Sequence, residues 1–433
     1  MRIYGWGRNS FSDSQITTPD NPEEIIDCIN AKNNIITRGL GRSYGDSANN
    51  FEILNTRNLK KIFFFDKIKG IIKCESGISL RELNEITIKE GWFVNVTPGS
   101  SFVTIGGCIA SDIHGKNHHL DGTFCNHLIS VEIILGNGQM IEISDIKNKE
   151  LFYATCGGIG LTGIIYSATI KLRKINSTLI NQKTIVAKSL EETLNVFDSY
   201  FSSKYSVAWV DLFSNKNNYG KSIIFLGQHD EKSFIKSIPK EPIKVPAKLL
   251  SYFLNNQSMR IFNTIYFYKN YLQKKIKKIN LYSYFYPLDS LSNWNMIYGK
   301  KGFIQYQFVI PKKNGPNNLK KIFDIIYKFD IFPYLTTLKM FGKENLNYLS
   351  FPIEGYSVAL DFKNNKNLIY MTRALDDLII ASGGKIYLTK DSLMSENCFK
   401  NCYPKWKDFQ NIRKKFHAYG KFSSDQSRRL GLE

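Results

Sequence analysis

Arg38-Gly39-Leu40-Gly41-Arg42-Ser43-Tyr44-Gly45-Asp46 directly follows the apolar stretch Ile35-Ile36-Thr37. A strand candidate that runs into a loop with three glycines at 39, 41 and 45 reads as a cradle for phosphate. Glycine accepts positive φ and lets successive backbone N–H groups converge on an anion. Arg38 and Arg42 add positive charge. The spacing matches neither the dinucleotide pattern G-x-G-x-x-G nor the Walker loop, so the loop alone leaves the fold class open.

Three further glycine-rich segments narrow it. Pro98-Gly99-Ser100-Ser101 leads through Thr104 and Ile105 to Gly106-Gly107-Cys108-Ile109-Ala110-Ser111-Asp112-Ile113-His114-Gly115-Lys116-Asn117-His118-His119, and Gly157-Gly158-Ile159-Gly160-Leu161-Thr162-Gly163 follows. Each alone is a turn; together, in one half of the chain, they line one long phosphate-bearing ligand. Around them the pattern predicts a helix over 22–32, a capping box at Ser79 and Glu82 opening a second, a hairpin of 131–135 and 139–143 about Gly136-Asn137-Gly138, and a long strand over 163–175. A further capping box at Ser189 and Glu192 opens a second region with strands at 206–213, 303–310, 334–340 and 356–362 and helices near 318–328 and 367–381. Interleaved helices and mostly antiparallel strands predict an α+β protein.

The chain has 433 residues, 43% hydrophobic and 22% charged, enough for two domains, and a formal charge of +20. That charge calls for an anionic partner: a phosphorylated substrate, a membrane surface or nucleic acid. No nucleic-acid module pattern accompanies the basic residues, so no nucleic acid is expected. The N-terminus lacks the apolar core of a signal peptide and no long apolar run suggests a membrane span; the expected location is cytoplasmic. Seven scattered cysteines without C-x-x-C indicate neither a disulfide frame nor a zinc site. His114, His118, His119 and His127 lack a carboxylate pattern completing a ligand set, so no metal is expected. The segment 240–287 interleaves Lys244, Lys248, Arg260, Lys269, Lys274, Lys275, Lys277 and Lys278 with Leu249, Leu250, Phe253, Ile261, Phe262, Tyr266, Phe267, Tyr271 and Tyr282. Two readings stand: an amphipathic surface lying on anionic lipid, or an insertion whose aromatics pack inward while its lysines are solvated.

The strings R-G-L-G-R-S-Y-G-D, P-G-S-S-x-x-T-I-G-G-C-I-A-S-D-I-H-G-K-N-H-H and C-G-G-I-G-L-T-G resemble the FAD-binding domain of the vanillyl-alcohol-oxidase-like (PCMH-type) flavoproteins. The resemblance extends over nearly the whole chain, including Gly383 to Asp391 and Ser423 to Leu430. It implies a two-domain fold: a discontinuous FAD domain of 1–177 and 385–433, and an antiparallel-sheet substrate domain of 178–384 flanked by helices and carrying the basic insertion. It also implies oxidation, by hydride transfer to flavin N5, of the ribose 2′-hydroxyl of a polyprenylphosphoryl-β-D-ribose. That reaction would be the first half of epimerisation to an arabinose donor, with a short-chain reductase completing it and a peripheral position at the inner membrane face. The alternatives are oxidation of another lipid-linked or free sugar alcohol, or a membrane-surface binding protein that keeps an inactive flavin fold.

Carried over residue by residue, the resemblance implies FAD contacts from Arg38, Gly39, Leu40, Gly41, Arg42, Ser43, Tyr44, Gly99, Ser100, Ser101, Thr104, Ile105, Gly106, Gly107, Ala110, His114, Gly115, Asn117, His118, Gly158, Gly160, Gly163 and Tyr387. The pyrophosphate would sit on the N–H groups of 39–43 and 100–107. Arg42 stands where covalent members of the family carry histidine, implying noncovalent FAD. Lys390 matches the family's active-site lysine, with Tyr387 and His114 beside it. Lys390 is read as a base, as a substrate ligand, or as a cation stabilising reduced flavin. On one strand, Tyr387 and Lys390 would face opposite ways, so a twist, bulge or strand end between them is required. Lys116, Trp209, Gln305, Gln307, Lys339, Phe341 and Ser357 match substrate positions, Lys339 as a phosphate partner. The family's usual cysteine and asparagine are Ala359 and Ser357 here, so nitroaromatics that trap that cysteine are not expected to attach.

Overall fold

The computed structural model describes residues 1–214, 220–233, 241–244, 246, 251–272 and 275–433. Helix Pro22–Ala31 starts where Asn21 accepts a hydrogen bond from the Glu24 N–H and proline occupies the first turn. Behind it lies a three-stranded parallel sheet, ordered Gln15–Thr17, Glu52–Asn55, Ile35–Arg38. The first glycine-rich loop leaves the C-terminal end of Ile35–Arg38, the end at which parallel strands present ligands.

An antiparallel sheet follows in the order Met140–Ile143, Leu128–Ile134, Ile164–Lys174, Ile71–Glu75, Ile62–Asp66, with Trp92–Val94 on the far part of Ile164–Lys174. Helix Leu80–Thr87 carries the predicted capping box at Ser79 and Glu82. At Ser189 the structure departs from a full capping box: the hydroxyl accepts from the Glu192 N–H, but Glu192 reaches one residue further back, to the Lys188 N–H.

The third sheet is eight-stranded and antiparallel throughout. Its order is Ile276–Asn280, Leu179–Ala187, Lys221–His229, Tyr205–Asp211, Leu335–Phe341, Gly355–Lys363, Phe303–Pro311, Lys385–Ile386. Helices Leu190–Ser199, Gly315–Phe329 and Leu368–Ala381 pack on one face. The sequence reading lacked Leu179–Ala187 because its inward positions include the polar Gln182 and Thr184, which break hydropathic alternation. Lys385–Ile386 still pairs with Phe303–Pro311, so the chain leaves this sheet two residues later than the expected boundary at 385.

The C-terminal segment then returns to the first half. Phe422 bridges Ile35 in parallel, and the fully buried Arg413 donates to the carbonyls of Leu161, Phe422 and Leu432. One guanidinium thus holds the third glycine-rich loop and the tail together.

Candidate active site

Between the glycine-rich loops and the free face of the eight-stranded sheet lies a cavity of about 1340 Å³. Pockets for one small ligand run to roughly 1,000 Å³, so this one has room for a cofactor and a substrate together. Strand alternation supplies its wall: Val207 and Trp209, Leu335, Thr337 and Lys339, Gln305 and Gln307, and Ala359 and Asp361 face it at every second position. Gln305 is in register with Asp361, and Gln307 with Ala359.

Gly39, Leu40, Gly41, Arg42 and Ser43 line the opposite side, and their backbone N–H groups donate to no acceptor among the described residues. Two of these glycines are sterically required. A Cβ on Gly39 would lie 2.2 Å from Thr104 Oγ1; Gly41 has φ +61° and its Cβ would meet Arg38 Nη2 at 2.2 Å. A run of free N–H groups on a loop that tolerates no side chain at 39 or 41 fits the pyrophosphate of FAD. Arg38 is a brace rather than a cavity residue: it donates to the carbonyls of Tyr4 (2.7 Å) and Ala48 (3.0 Å) and to Asn49 Oδ1 (3.0 Å). Arg42 lies over the Trp6 ring, 3.8 Å from its centroid, and donates to the Phe102 carbonyl. Tyr44 lines the cavity beside it.

The second loop contributes shape more than donors. Gly99, Ser100, Thr104, Gly106, Gly107 and Ala110 face the cavity, whereas Ser101 and Ile105 lie behind it. Most of the N–H groups expected to cradle phosphate here are engaged: Ile105 to Ile78 O, Gly106 to Ser76 O, Gly107 to Thr104 Oγ1, and Ser101 to the Asp289 carboxylate at 2.6 Å. Asp289, which the sequence reading missed, also accepts from both serine hydroxyls at 2.7 Å. It joins the substrate-side segment to this loop, facing Arg42, and burial raises its pKa against those hydrogen bonds.

Gly160 lines the cavity, but Gly158 and Gly163 are packing positions where a Cβ would strike Ala154 O and Ile133 Cδ1. Gly115, Asn117 and His118 also lie outside the lining. Asn117 donates to Asn95 O, and His118 Nδ1 accepts from the Gly342 N–H at 3.2 Å, its pKa lowered by burial to about 3. Among the described residues no cluster of three His, Cys, Asp or Glu side chains is arranged around a metal position. His119 and His127 bond the carbonyls of Ser203 and Asp121.

The strand ends before Tyr387, and a turn separates Tyr387 from Lys390. The chain turns after Ile386, the Lys390 N–H donating to Tyr387 O at 3.0 Å, and both side chains then line the cavity. Lys390 Nζ lies 3.6 Å from the Tyr44 ring centroid, and among the described residues it makes no ion pair. Burial lowers its pKa, with the Asp361 charge opposing. The Tyr387 hydroxyl donates to Ser111 O at 2.9 Å; its ring stacks on Phe351 and lies 5.4 Å from that of His114. His114 is buried, its pKa is lowered first by desolvation, and Gln307 Nε2 sits 3.0 Å from its Nε2. A neutral imidazole accepting from Gln307 satisfies that contact.

The other substrate candidates separate into two groups. Lys339, Lys116, Gln305, Gln307 and Trp209 line the cavity. Burial lowers Lys339 to about 8 and Lys116 to about 7; Lys116 donates to Tyr284 O and lies over the Tyr284 ring. Trp209 meets Tyr266 edge-on at 5.0 Å. Phe341 and Ser357 stand outside the lining: Phe341 backs His114 at 4.7 Å, and Ser357 accepts from Gln307 at 3.2 Å. They hold residues that face the cavity, His114 and Gln307.

The basic segment divides similarly. Helix Asn256–Leu272 buries Asn263 and Phe267 against the sheet and leaves Phe253, Ile261, Ile265, Tyr268 and Tyr271 each more than half exposed nearby or along it. Phe262, Tyr266, Lys269 and Lys277 line the cavity, and Lys278 pairs with Asp230. Lys248, Leu249, Leu250 and Lys274 lie outside the described residues. Among the described residues no helix is long and apolar enough to cross a membrane.

Comparison with known proteins agrees with this geometry. Residues 14–144 match the profile of an FAD binding domain. A decaprenylphosphoryl-β-D-ribose oxidase from Mycolicibacterium smegmatis is 33% identical over all of this chain and 97% of its own length. A Streptomyces coelicolor protein of uncharacterized role is 26% identical over 82% of this chain and 100% of its own, and a D-lactate dehydrogenase from Archaeoglobus fulgidus is 27% identical over 36% and 38%. The chain is therefore an FAD-dependent oxidoreductase of the class that acts on alcohol groups, with a two-domain α+β fold. Within that class it belongs to the decaprenylphosphoryl-β-D-ribose oxidase family.

Proposed function

We propose that the protein oxidises the 2′-hydroxyl of a polyprenylphosphoryl-β-D-ribose to the 2′-ketone. The observation that carries this is the pair of half-buried amines, Lys339 and Lys390, on a cavity wall whose opposite side is the free N–H loop of Gly39 to Ser43. Bound FAD supplies the hydride acceptor. Lys339 binds the substrate phosphate, Gln307 and His114 orient the ribose, and Lys390, its pKa lowered by burial, takes the hydroxyl proton. Tyr387 and Trp209 exclude water from the two ends of the reacting sugar.

The product is a ketosugar that a reductase must reduce to complete epimerisation toward an arabinose donor. The prenyl tail places the enzyme at an anionic membrane face. Between Glu241 and Asp289 the sequence has no acidic residue, and the exposed apolar side chains of that segment adjoin cavity residues Phe262 and Tyr266. A second reading, another lipid-linked sugar alcohol as substrate, is favoured only by the smaller Ala359 on the cavity wall.

Anaerobic addition of a short-chain polyprenylphosphoryl ribose to the FAD-loaded protein tests the reading. The flavin absorbance should bleach, and mass spectrometry should find the 2′-keto product. Flavin that stays oxidised with this lipid but bleaches with another sugar alcohol selects the second reading.

A further inference from the structure

Asp112 stands between two residues of the cavity lining, Ser111 and Ile113, yet is itself fully buried behind it. Its carboxylate reaches across to the other domain. One oxygen accepts from Asn345 Nδ2 at 2.7 Å, Asn347 Nδ2 at 2.8 Å and Ser350 Oγ at 2.6 Å, all on the loop between strands Leu335–Phe341 and Gly355–Lys363. The other oxygen accepts from the Cys125 N–H at 3.4 Å. Asp112 also holds φ +38°, a conformation that L residues keep only where their surroundings enforce it. A buried charge is costly unless it is well bonded, and a turn alone requires neither that charge nor that backbone conformation.

We propose that Asp112 is a positioning residue for the reaction: it clamps the 345–351 loop of the substrate domain onto the FAD domain and so fixes the orientation of Tyr387 and His114. This rests on the cavity being the site of the oxidation proposed above. The clamped loop ends in Phe351, whose ring stacks on Tyr387 with centroids 4.7 Å apart and lies 5.8 Å from that of His114. The Tyr387 hydroxyl donates to Ser111 O, the residue before Asp112, at 2.9 Å. Tyr387 is therefore held on its ring by residue 351 and at its hydroxyl by residue 111, and one carboxylate ties the two supports together. His114, two residues after Asp112, forms a β-bridge with Thr123, whose Oγ1 accepts from the same Asn345 amide at 3.1 Å.

The clamp needs an acceptor at both carboxylate oxygens. Three donors converge on one of them, an arrangement that an anion serves best. In Asp112→Asn, an amide oxygen turned toward the loop leaves the NH2 group against the Cys125 N–H, and the flipped amide sets it against the amides of Asn345 and Asn347. Asparagine tolerates positive φ as aspartate does, so this variant removes an acceptor and leaves the backbone preference in place.

Hydrogen exchange of the FAD-loaded protein without substrate, read by mass spectrometry, tests the clamp. Asp112→Asn should quicken exchange over residues 343–352 by about ten- to a hundredfold, the worth of a hydrogen bond to a charged group. Stopped-flow reduction of the bound flavin tests the positioning: the limiting rate should fall by about ten- to a hundredfold, while the half-saturating substrate concentration stays close to that of the wild type. In a Phe351→Leu background Asp112→Asn should slow reduction little further, because residues acting through one contact are not additive; the full slowing there overturns the route through that ring. Unchanged exchange overturns the clamp whatever the lipid does, and a wild-type limiting rate in a variant with quickened exchange overturns the positioning role. If Asp112→Asn does not fold, Ser350→Ala removes one donor from the other side of the clamp and is read in the same two ways. A wild-type flavin that this lipid leaves oxidised is a failure of the substrate assignment alone, and the rates are then read with the sugar alcohol that reduces it.

Discussion

Lys390 illustrates how one side chain's chemistry is set by its surroundings. An exposed lysine titrates near about 10.4 and is a poor proton acceptor at neutral pH; here burial lowers it. If it is the base, flavin reduction rises with pH, because the amine must be free, and levels off below the ordinary lysine range. Lys390→Met should slow that reduction by about 10² to 10⁴-fold, measured by stopped-flow absorbance, while FAD stays bound. Gly39 is constrained by contact rather than by charge: Gly39→Val would drive a side chain into Thr104, and the purified variant should lack the flavin spectrum. Arg42 offers no nucleophile toward flavin, so acid precipitation should release the yellow colour into the supernatant; colour retained in the pellet would show a covalent bond.

At the scale of elements, the turn after Lys385–Ile386 is the decisive piece. Tyr387 and Lys390 cannot share a face while strand geometry persists, and the turn that ends the strand brings both to the cavity. That turn is anchored from behind. Arg429 donates to Asp46 at 2.8 and 3.0 Å and to Asp391 at 2.9 Å, one guanidinium tying the C-terminal helix Asp425–Arg429 to the residue after Lys390. Arg429→Met leaves two buried carboxylates without their cation and should cost about 3 to 5 kcal/mol in denaturant unfolding. The glycine-rich loops behave differently from one another for an elementary reason. The first leaves the end of a parallel strand with its N–H groups free, while those of Ser101, Ile105, Gly106 and Gly107 in the second are taken by Asp289, the carbonyls of Ile78 and Ser76, and Thr104. Glycine spacing gives conformational freedom in both and does not record which donors remain.

For the whole molecule, the net charge of +20 includes a segment between Glu241 and Asp289 that carries no acidic residue. If that segment lies on anionic lipid, each basic residue contributes about 1 kcal/mol. Arg260→Gln with Lys275→Gln should then weaken sedimentation with anionic vesicles by about thirtyfold, leave binding to zwitterionic vesicles unchanged, and leave FAD content intact. Equal binding by both proteins would remove the membrane reading. The helix in this segment buries Phe267 on the sheet while Ile261, Ile265 and Tyr268 remain exposed.

The sequence by itself determined the α+β class, the flavin chemistry and the stretches from which the cavity lining comes, because local backbone demands and short contiguous strings encode them. Helix 22–32, the hairpin about Gly136-Asn137-Gly138 and the Ser79 cap were legible for the same reason: each depends on residues a few positions apart. Only the tertiary structure decided which residues within those strings face the cavity. It showed Arg38, Ser357 and Phe341 to be supports, and it placed Asp289 and Asp361 at the cavity. Those two carboxylates carry no motif. Their positions follow from strand register and from a loop of one domain reaching another, and such long-range pairings are set by packing across the whole chain.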